Sequence, residues 1–325
     1  MTNRKKTAEE LVASAVAKKS NPLQKNVVSK YIFVYSILAY FLILFAVFYV
    51  WVNFNSILMA FQSYKLDGTM NWIGFDNFKN FMSKVFTEGN LVSTSFTNSL
   101  KLYIISLVIS MPLYIFFSYI LFKKCLAHGA MRLLVMLPSI LSGFIVCLMF
   151  KSFVMKGVPG LMKNYFGVAN PPNFFEDSKW AFGTTIFYGI WSSFATNLIV
   201  YPNAMKEIDE GILEAARVDG VCNMFQELFY IILPLIYPTI TTFLITGLAG
   251  ILSTDGSLVT LYYEKAPVEV YNMGYYYWKL VKGAGSNYTN YPELAAGGLI
   301  MTLIVAPLTL GARWILNKLD PTENL

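Results

Sequence analysis

Charged residues, histidine and cysteine are all scarce in this chain. Charged side chains make up 14% of its 325 residues, and it contains one histidine and three cysteines. A soluble domain carries about 25% charged residues, so the polar side chains here are too few to cover a water-soluble globule. The cysteines form no CxxC pair, and a metal cluster or a Ser-His-Asp triad would need His128 to serve alone. We therefore predict no catalytic residue and no metal site.

The chain also lacks a nucleotide-binding motif. It contains no GxxxxGK[ST] pattern and no Gly-Lys dipeptide, so a phosphate-cradling P-loop is excluded. We predict that no cofactor binds this chain. The apolar composition further excludes a disordered chain and a nucleic-acid-binding protein, although the formal charge is +6.

Long apolar runs dominate the sequence, since 56% of its residues are hydrophobic. A membrane-spanning helix needs about 20 apolar residues. Six runs reach or approach this length without the two-residue alternation of a barrel strand, at about 31–59, 100–122, 131–154, 180–201, 229–252 and 294–315. We predict an all-α membrane protein with six transmembrane helices.

Basic residues predict the topology. They are concentrated in residues 1–30, in the link after the second run and in the C-terminal tail. The positive-inside rule puts these segments in the cytoplasm, so we expect a multi-pass protein of the cell membrane with both termini cytoplasmic. The predicted organisation is a basic segment 1–30, a first transmembrane helix 31–60, an extracytoplasmic loop 61–99, a five-helix core 100–315 and a cytoplasmic tail 316–325.

The predicted outer loop before the last span is rich in aromatic residues. Two interpretations stay open: a belt at the depth of the lipid headgroups, or a face that meets a partner or a sugar ring. The residues concerned are Tyr262, Tyr263, Tyr271, Tyr275, Tyr276, Tyr277 and Trp278.

The link between the fourth and fifth runs, at about 205–225, is acidic. It is nevertheless expected in the cytoplasm, because a chain with a cytoplasmic N-terminus returns to that side after its fourth span. Ile212 to Val218 is a good helix-forming stretch, and Gly220 can adopt a positive φ and end it. Ala215 and Ala216 let another surface approach closely. A helix this short is marginal alone, so tertiary contact should hold it. We interpret it as a docking element.

This link carries a family resemblance. Glu214-Ala215-Ala216-x-x-Asp219-Gly220, followed by Ile231-Ile232-Leu233-Pro234, resembles the EAA loop of binding-protein-dependent ABC importer permeases. The Asp-Gly ending resembles the carbohydrate-import branch. Weaker matches occur in the same order, at Trp72 to Phe78, Asn98-Ser99-Leu100 and Leu137-Pro138-Ser139. One departure is that ten residues, Val221 to Tyr230, separate the glycine from Ile231, where the family usually has nine.

The resemblance implies a type I ABC importer permease and a mechanism. The EAA helix would sit in a groove of a cytoplasmic ABC ATPase dimer, which binds ATP and Mg²⁺ and drives the spans between outward- and inward-facing states. Glu214 and Asp219 would make polar contacts, Ala215 and Ala216 would fill the groove, and Gly220 would set the turn. A second, homologous permease and an extracytoplasmic solute-binding protein would complete the importer of a sugar or oligosaccharide.

Polar side chains inside the spans are candidates for the solute path. They are costly in lipid unless they pair or face water. One interpretation is hydrogen bonding between helices, and the other is a lining that binds sugar hydroxyls, with an aromatic ring stacked on the sugar. The candidates are Trp191, Ser193, Thr196, Asn197 and Asp255, and Asn197 and Asp255 rank first.

Three alternatives remain. The first is a permease of a non-sugar ABC importer, and only the Asp219-Gly220 ending and the weaker motifs argue against it. A secondary transporter predicts buried ionisable residues at mid-membrane, and the runs contain almost none. A membrane-embedded enzyme needs a cluster of His, Asp, Glu or Cys at one depth, and the sequence offers no such cluster within the runs.

Overall fold

The computed structural model describes residues 22–65, 69–124, 129, 133, 141–284 and 288–321. Residues 1–21, Cys125, His128, Leu137-Pro138-Ser139 and residues 322–325 lie outside the described residues, so the predictions for them stay predictions. The chain forms two units, Met1–Met59 and Ala60–Leu325.

The first unit contains one long helix, α1 (22–59). It consists of Pro22–Phe45, a π-helical turn Ala46–Trp51 and Val52–Met59. All its side chains from 29 to 58 are exposed. A helix that is apolar all round suits a membrane span, since lipid can cover every face.

Within its described residues, the second unit is mainly helical and contains one hairpin, in which β1 (Gln62–Tyr64) pairs antiparallel with β2 (Met70–Trp72). Its helices are α2 (Asp76–Phe86), α3 (Leu91–Phe122), α4 (Gly143–Phe166), α5 (Ser178–Lys206), α6 (Glu210–Val218), α7 (Met224–Leu235), α8 (Tyr237–Ala249), α9 (Leu258–Tyr262), α10 (Met273–Ala284) and α11 (Tyr291–Lys318). Three of them contain a π-helical turn, at Ser106–Ser110, Phe153–Gly157 and Glu227–Ile232.

The helices confirm the predicted all-α membrane fold. Among the described residues, α1, α3, α4 and α11 are long and apolar enough to cross a membrane, and α7 with α8 makes a fifth candidate bent by 69°. Helix α5 coincides with the fourth predicted run and has 29 residues. It is not among these apolar candidates, and several of its hydroxyl and amide side chains line a cavity. The six-span prediction is compatible with this arrangement.

Proline explains the bend between α7 and α8. Pro238 is in the first turn of α8, and a proline ring clashes with the carbonyl of the fourth residue before it. The chain therefore leaves helical geometry at Ile236, where φ is −91° and ψ is 7°. The span formed by α7 and α8, which follows α6 in the chain, therefore changes direction at this break.

Three apolar clusters hold the second unit together. The first joins α4, α5, α9 and α10, and the second joins α2, α3, α10 and α11. The third, here called the junction cluster, joins α3, α5, α6 and α7 through Tyr114, Ile115, Tyr119, Tyr201, Met205, Leu213, Leu228, Ile232 and Ile236. The junction cluster is thus the apolar support of α6.

Candidate functional site

Helix α6 begins at a side-chain cap. The Asp209 carboxylate accepts a hydrogen bond of 2.8 Å from the backbone N–H of Gly211. This satisfies one of the N–H groups that have no partner within a helix. The helix therefore starts at Glu210, two residues before the predicted Ile212, and Gly211 lies inside its first turn. Asp209 is a contribution that the motif-based reasoning missed.

Gly220 ends α6 as predicted. Its φ is +98°, a conformation that disfavours residues with a Cβ. The N–H of Val221 bonds to the carbonyl of Ala216 at 3.0 Å, and the N–H of Gly220 bonds to that of Arg217 at 3.2 Å. These two bonds form a Schellman motif, which pairs the last carbonyls of the helix. Both ends of this nine-residue helix are thus locally satisfied.

The two faces of α6 have different roles. Leu213 and Ala216 are buried, and Leu213 packs in the junction cluster. Glu214, Ala215, Asp219 and Gly220 are exposed. Of the five predicted docking residues, Ala216 is therefore turned into the chain itself, because it shares the inward face of the helix with Leu213.

The outer face of α6 also carries an apolar side chain that the motif did not indicate. Val218 is 87% exposed, one turn after Glu214 and Ala215. Among the ion pairs of the described residues, none joins Glu214 to Arg217, so the Glu214 carboxylate is not paired within this helix. Glu214, Ala215 and Val218 thus form a small exposed surface, and the exposed Arg217 and Asp219 lie beside it.

The unusual spacing after Gly220 contains a π-helical turn. Asn223 caps the start of α7 by accepting a 3.1 Å bond from the N–H of Phe225. The turn Glu227–Ile232 follows within the same helix. A π turn accommodates an extra residue in a helix, and Val221 to Tyr230 is one residue longer than the family pattern. The longer spacing thus coincides with a π turn in α7.

A second feature is a cleft of about 520 Å³ between α3, α5 and α8. Its lining combines apolar side chains with many hydroxyl and amide groups. The polar side chains are Ser99, Tyr103, Ser106, Ser110, Tyr114, Thr185, Ser193, Asn197, Tyr201, Thr246, Thr254 and Asn272. Such a lining can hydrogen-bond a polar solute from several sides.

The cleft contains two of the five predicted path residues. Ser193 and Asn197 line it, and the Asn197 amide donates a 2.8 Å bond to the Ser193 carbonyl. The other three candidates are not among its lining residues. Trp191 stacks on Phe150 at 5.8 Å between ring centroids, and Thr196 is exposed.

Asp255 bonds to the first turn of α9. Its carboxylate accepts a 3.2 Å bond from the N–H of Val259. Asp255 does not line the cleft itself, although Thr254 and Gly256 on either side of it do. A solute contact at Asp255 therefore stays a prediction.

The polar face of α3 was missed, although its signal is in the sequence. Ser99, Tyr103, Ser106, Ser110 and Tyr114 follow one another at spacings of three or four residues. That spacing puts them on one side of a helix. The same argument that selected Ser193 and Asn197 would have selected this face.

The aromatic segment 262–278 is mostly interior. Tyr271 and Tyr275 are 3% and 0% exposed, and Tyr263 is 55% exposed. The buried members can form neither a belt at the headgroup depth nor a binding face, because they are covered by the protein itself. Both interpretations are therefore wrong for Tyr262, Tyr271, Tyr275 and Tyr276. Three of the tyrosine hydroxyls in this segment have hydrogen-bond partners: the Tyr263 carbonyl for Tyr275, the Thr185 hydroxyl for Tyr262 and the Lys279 ammonium for Tyr271.

Two asparagines of the weaker motifs each bond to a segment distant in sequence. The Asn98 amide donates bonds of 2.7 and 2.9 Å to the carbonyls of Glu269 and Tyr271. The Asn77 amide donates bonds of 2.9 and 2.8 Å to the carbonyls of Ala60 and Gln62. Both asparagines are buried, so these motif positions have a structural role.

The family model for the inner membrane component of binding-protein-dependent transport systems matches residues 103–323. The chain belongs to this family. The match contains α6, α7 and all lining residues of the cleft except Ser99 and Leu102. The family consists of membrane components of transport systems, which confirms the prediction of a transport subunit rather than an enzyme.

Relatives within the family are similar over most of their length. The chain is 29% identical over 280 residues to the probable ABC transporter permease protein YesP of Bacillus subtilis, covering 79% of this chain and 86% of that protein. It is 29% identical over 185 residues to the lactose transport system permease protein LacF of Rhizobium radiobacter, covering 54% and 62%.

A solved structure has the same fold. A chain of the bacterial alginate ABC transporter, crystallised with an alginate pentasaccharide-bound periplasmic protein, superposes with a TM-score of 0.75. The superposition covers 91% of this chain and 98% of the other, at 21% identity. At this identity the likeness shows the fold of this family member.

Proposed function

We propose that this chain is one membrane subunit of an ATP-driven importer that moves a sugar or oligosaccharide into the cytoplasm. Helix α6 docks on a separate ABC ATPase dimer, which binds ATP and Mg²⁺. A second, homologous permease and an extracytoplasmic solute-binding protein complete the complex.

The docking role is supported by one observation: the chain belongs to this family of transport components, and its helix α6 exposes a small surface. The helix is too short to be stable alone, and it is held by two caps and by Leu213 and Ala216. Its outer face presents Glu214, Ala215 and Val218 to another surface. This surface suits a groove in which a basic side chain or an N–H group can donate a hydrogen bond to the carboxylate. The walls of such a groove can also approach the small apolar groups closely.

A sugar as the cargo is supported by the cleft and by the relatives. Hydroxyl, amide and tyrosine side chains from α3, α5 and α8 converge on one space, and sugars present both hydroxyl groups and apolar ring faces. The relatives include a lactose permease and a multiple sugar-binding transport system permease. The Asp219-Gly220 ending agrees with them.

The proposed orientation puts α6 and both termini in the cytoplasm. Cys222 is exposed two residues after Gly220 and is a natural reporter. In a Cys125→Ser background, a membrane-impermeant maleimide should label Cys222 in inverted vesicles and not in intact cells. Labelling of intact cells, absent from Cys222→Ser, would overturn the orientation.

The docking role is tested in the purified complex with its companion subunits. We expect Glu214→Lys to weaken ATPase retention at least about tenfold, which corresponds to about 1.4 kcal/mol, because it reverses the charge of the docking face. Glu88→Lys is the control, since Glu88 is exposed in the turn before α3. Normal retention and normal ATP-driven uptake in Glu214→Lys would contradict the proposal.

The cleft is tested by the uptake of a labelled saccharide into proteoliposomes. We expect Asn197→Leu to lower uptake while the ATPase stays bound, because it removes an amide from the lining. Thr196→Leu is the matched control, since Thr196 does not line the cleft. Uptake of an amino acid or peptide in place of any saccharide would favour the non-sugar importer.

A further inference from the structure

A buried ion pair joins two helices next to α6. Lys123 follows the last residue of α3, and Glu227 is the first residue of the π turn in α7. The lysine ammonium contacts the Glu227 carboxylate. The Lys123 and Glu227 side chains are only 21% and 10% exposed. The pair therefore sits at the point where the connection from α6 enters the next span.

The surroundings of the pair are apolar and aromatic. The Lys123 ammonium lies 5.7 Å from the centroid of the Tyr119 ring, and Tyr119 is 1% exposed. Glu227 is followed by Leu228, which is buried in the junction cluster. Burying two charges costs desolvation energy that a well-packed apolar pair would avoid. A pair in such a position is best explained by the geometry that it fixes.

The pair and the cleft are linked through one set of side chains. The junction cluster contains Leu213 of α6, and it also contains Tyr114 and Tyr201. Tyr114 and Tyr201 line the cleft. The junction cluster thus contains both a side chain of the docking helix and side chains that line the solute space.

Apolar contacts alone can slide, whereas an ion pair with a defined partner fixes a register. Glu227 is at the start of a π turn, a wide helical turn that is frequent at functional sites. The Lys123–Glu227 bond anchors that turn to α3. Since α3 contributes Tyr103, Ser106 and Ser110 to the cleft, the anchor connects movement at α6 to a cleft wall.

We propose that Lys123 and Glu227 are positioning residues that transmit the displacement of α6 to α3, so that ATP hydrolysis is coupled to opening of the cleft. This inference rests on the proposed function and adds the path by which the docking helix acts. It requires neither residue to touch the solute or the ATPase.

The experiment compares ATP hydrolysis and uptake in the reconstituted full complex. The variants are Lys123→Met, Glu227→Gln, the conservative Lys123→Arg, and the charge exchange Lys123→Glu with Glu227→Lys. We expect each of the first two to lower the solute moved per ATP hydrolysed at least about fivefold while the ATPase stays bound. Lys123→Arg should stay near the wild type, and the exchange should recover at least half of the lost coupling.

An exposed ion pair supplies the control. Lys79 and Asp76 are 3.7 Å apart with side chains 78% and 62% exposed, so Lys79→Met should leave coupling unchanged. Single variants with wild-type coupling, or an exchange no better than either single variant, would overturn the inference. ATP-independent uptake by the wild-type complex would instead reject the proposed function, so the two failures are distinguishable.

Discussion

The α6 region and the aromatic segment 262–278 lie at opposite ends of α11. Near the start of this helix, Gly297 packs against Phe81 and Tyr277. Near its end, the Leu316 carbonyl accepts a 3.0 Å bond from the Tyr237 hydroxyl, beside the bend between α7 and α8. Gly297 and Leu316 are 19 residues apart in this helix, which corresponds to roughly 29 Å along its axis. The two regions are thus separated by about the thickness of the hydrocarbon core of a bilayer.

The two regions are stabilised in different ways. Helix α6 relies on local caps at Asp209 and Gly220 and buries only Leu213 and Ala216. The aromatic segment is buried among α4, α5 and α10 and is held by bonds from distant residues such as Asn98. Regions with few buried contacts open at low free-energy cost. The comparison indicates a docking element with few buried side chains at one end and a densely packed region at the other.

The packed end should be broken most severely by Gly274→Ala. A Cβ at Gly274 would lie 2.4 Å from the carbonyl carbon and oxygen of Thr254, and backbone atoms cannot move aside as a side chain can. We expect a loss of about 3 kcal/mol in stability, measured by unfolding in detergent. Gly283→Ala in the same helix α10 is the matched control, since a Cβ there meets no atom within 4 Å. Equal stability of the two variants would show that the packed end is not rigid.

A smaller effect at the same end is expected for Asn98→Ala. The change removes both amide bonds to the carbonyls of Glu269 and Tyr271 and leaves these acceptors without that donor. Unsatisfied buried groups cost about 1–3 kcal/mol, so we expect a loss of about 2 kcal/mol in the same unfolding measurement. The exposed Asn53, which donates to Tyr49 within α1, supplies the control Asn53→Ala. A change below that of the control would contradict the structural role of Asn98.

The same comparison explains what the sequence could predict. The α6 helix was predictable because its information is local: an EAA stretch, a helix-forming segment and a glycine with positive φ lie within about ten residues. The six helical runs were predictable because a span must satisfy its backbone internally and cover itself with apolar side chains. Both are properties of contiguous sequence.

The rest depends on contacts between distant residues. Tyr263 and Tyr275 belong to the same aromatic segment, and nothing in the sequence distinguishes them. Tyr275 is nevertheless buried, whereas Tyr263 is 55% exposed. The bond between Asp255 and Val259 is not predictable, because α9 has only five residues. The ion pair of Glu227 is not predictable either, since nothing near it in sequence indicates Lys123. The polar face of α3 is the exception, because its spacing was readable.

The smallest expected effect is at α6 and concerns local stability. Asp209→Ala removes the bond to the Gly211 N–H and should cost about 1 kcal/mol. Because few contacts connect α6 to the core, the loss should appear as roughly fivefold faster hydrogen exchange within 210–218, while the unfolding midpoint of the whole protein stays unchanged. Asp209→Asn keeps a capping oxygen and should exchange like the wild type. A lowered midpoint with uniform exchange would mean that α6 unfolds together with the packed end, and the two regions would then be one cooperative unit.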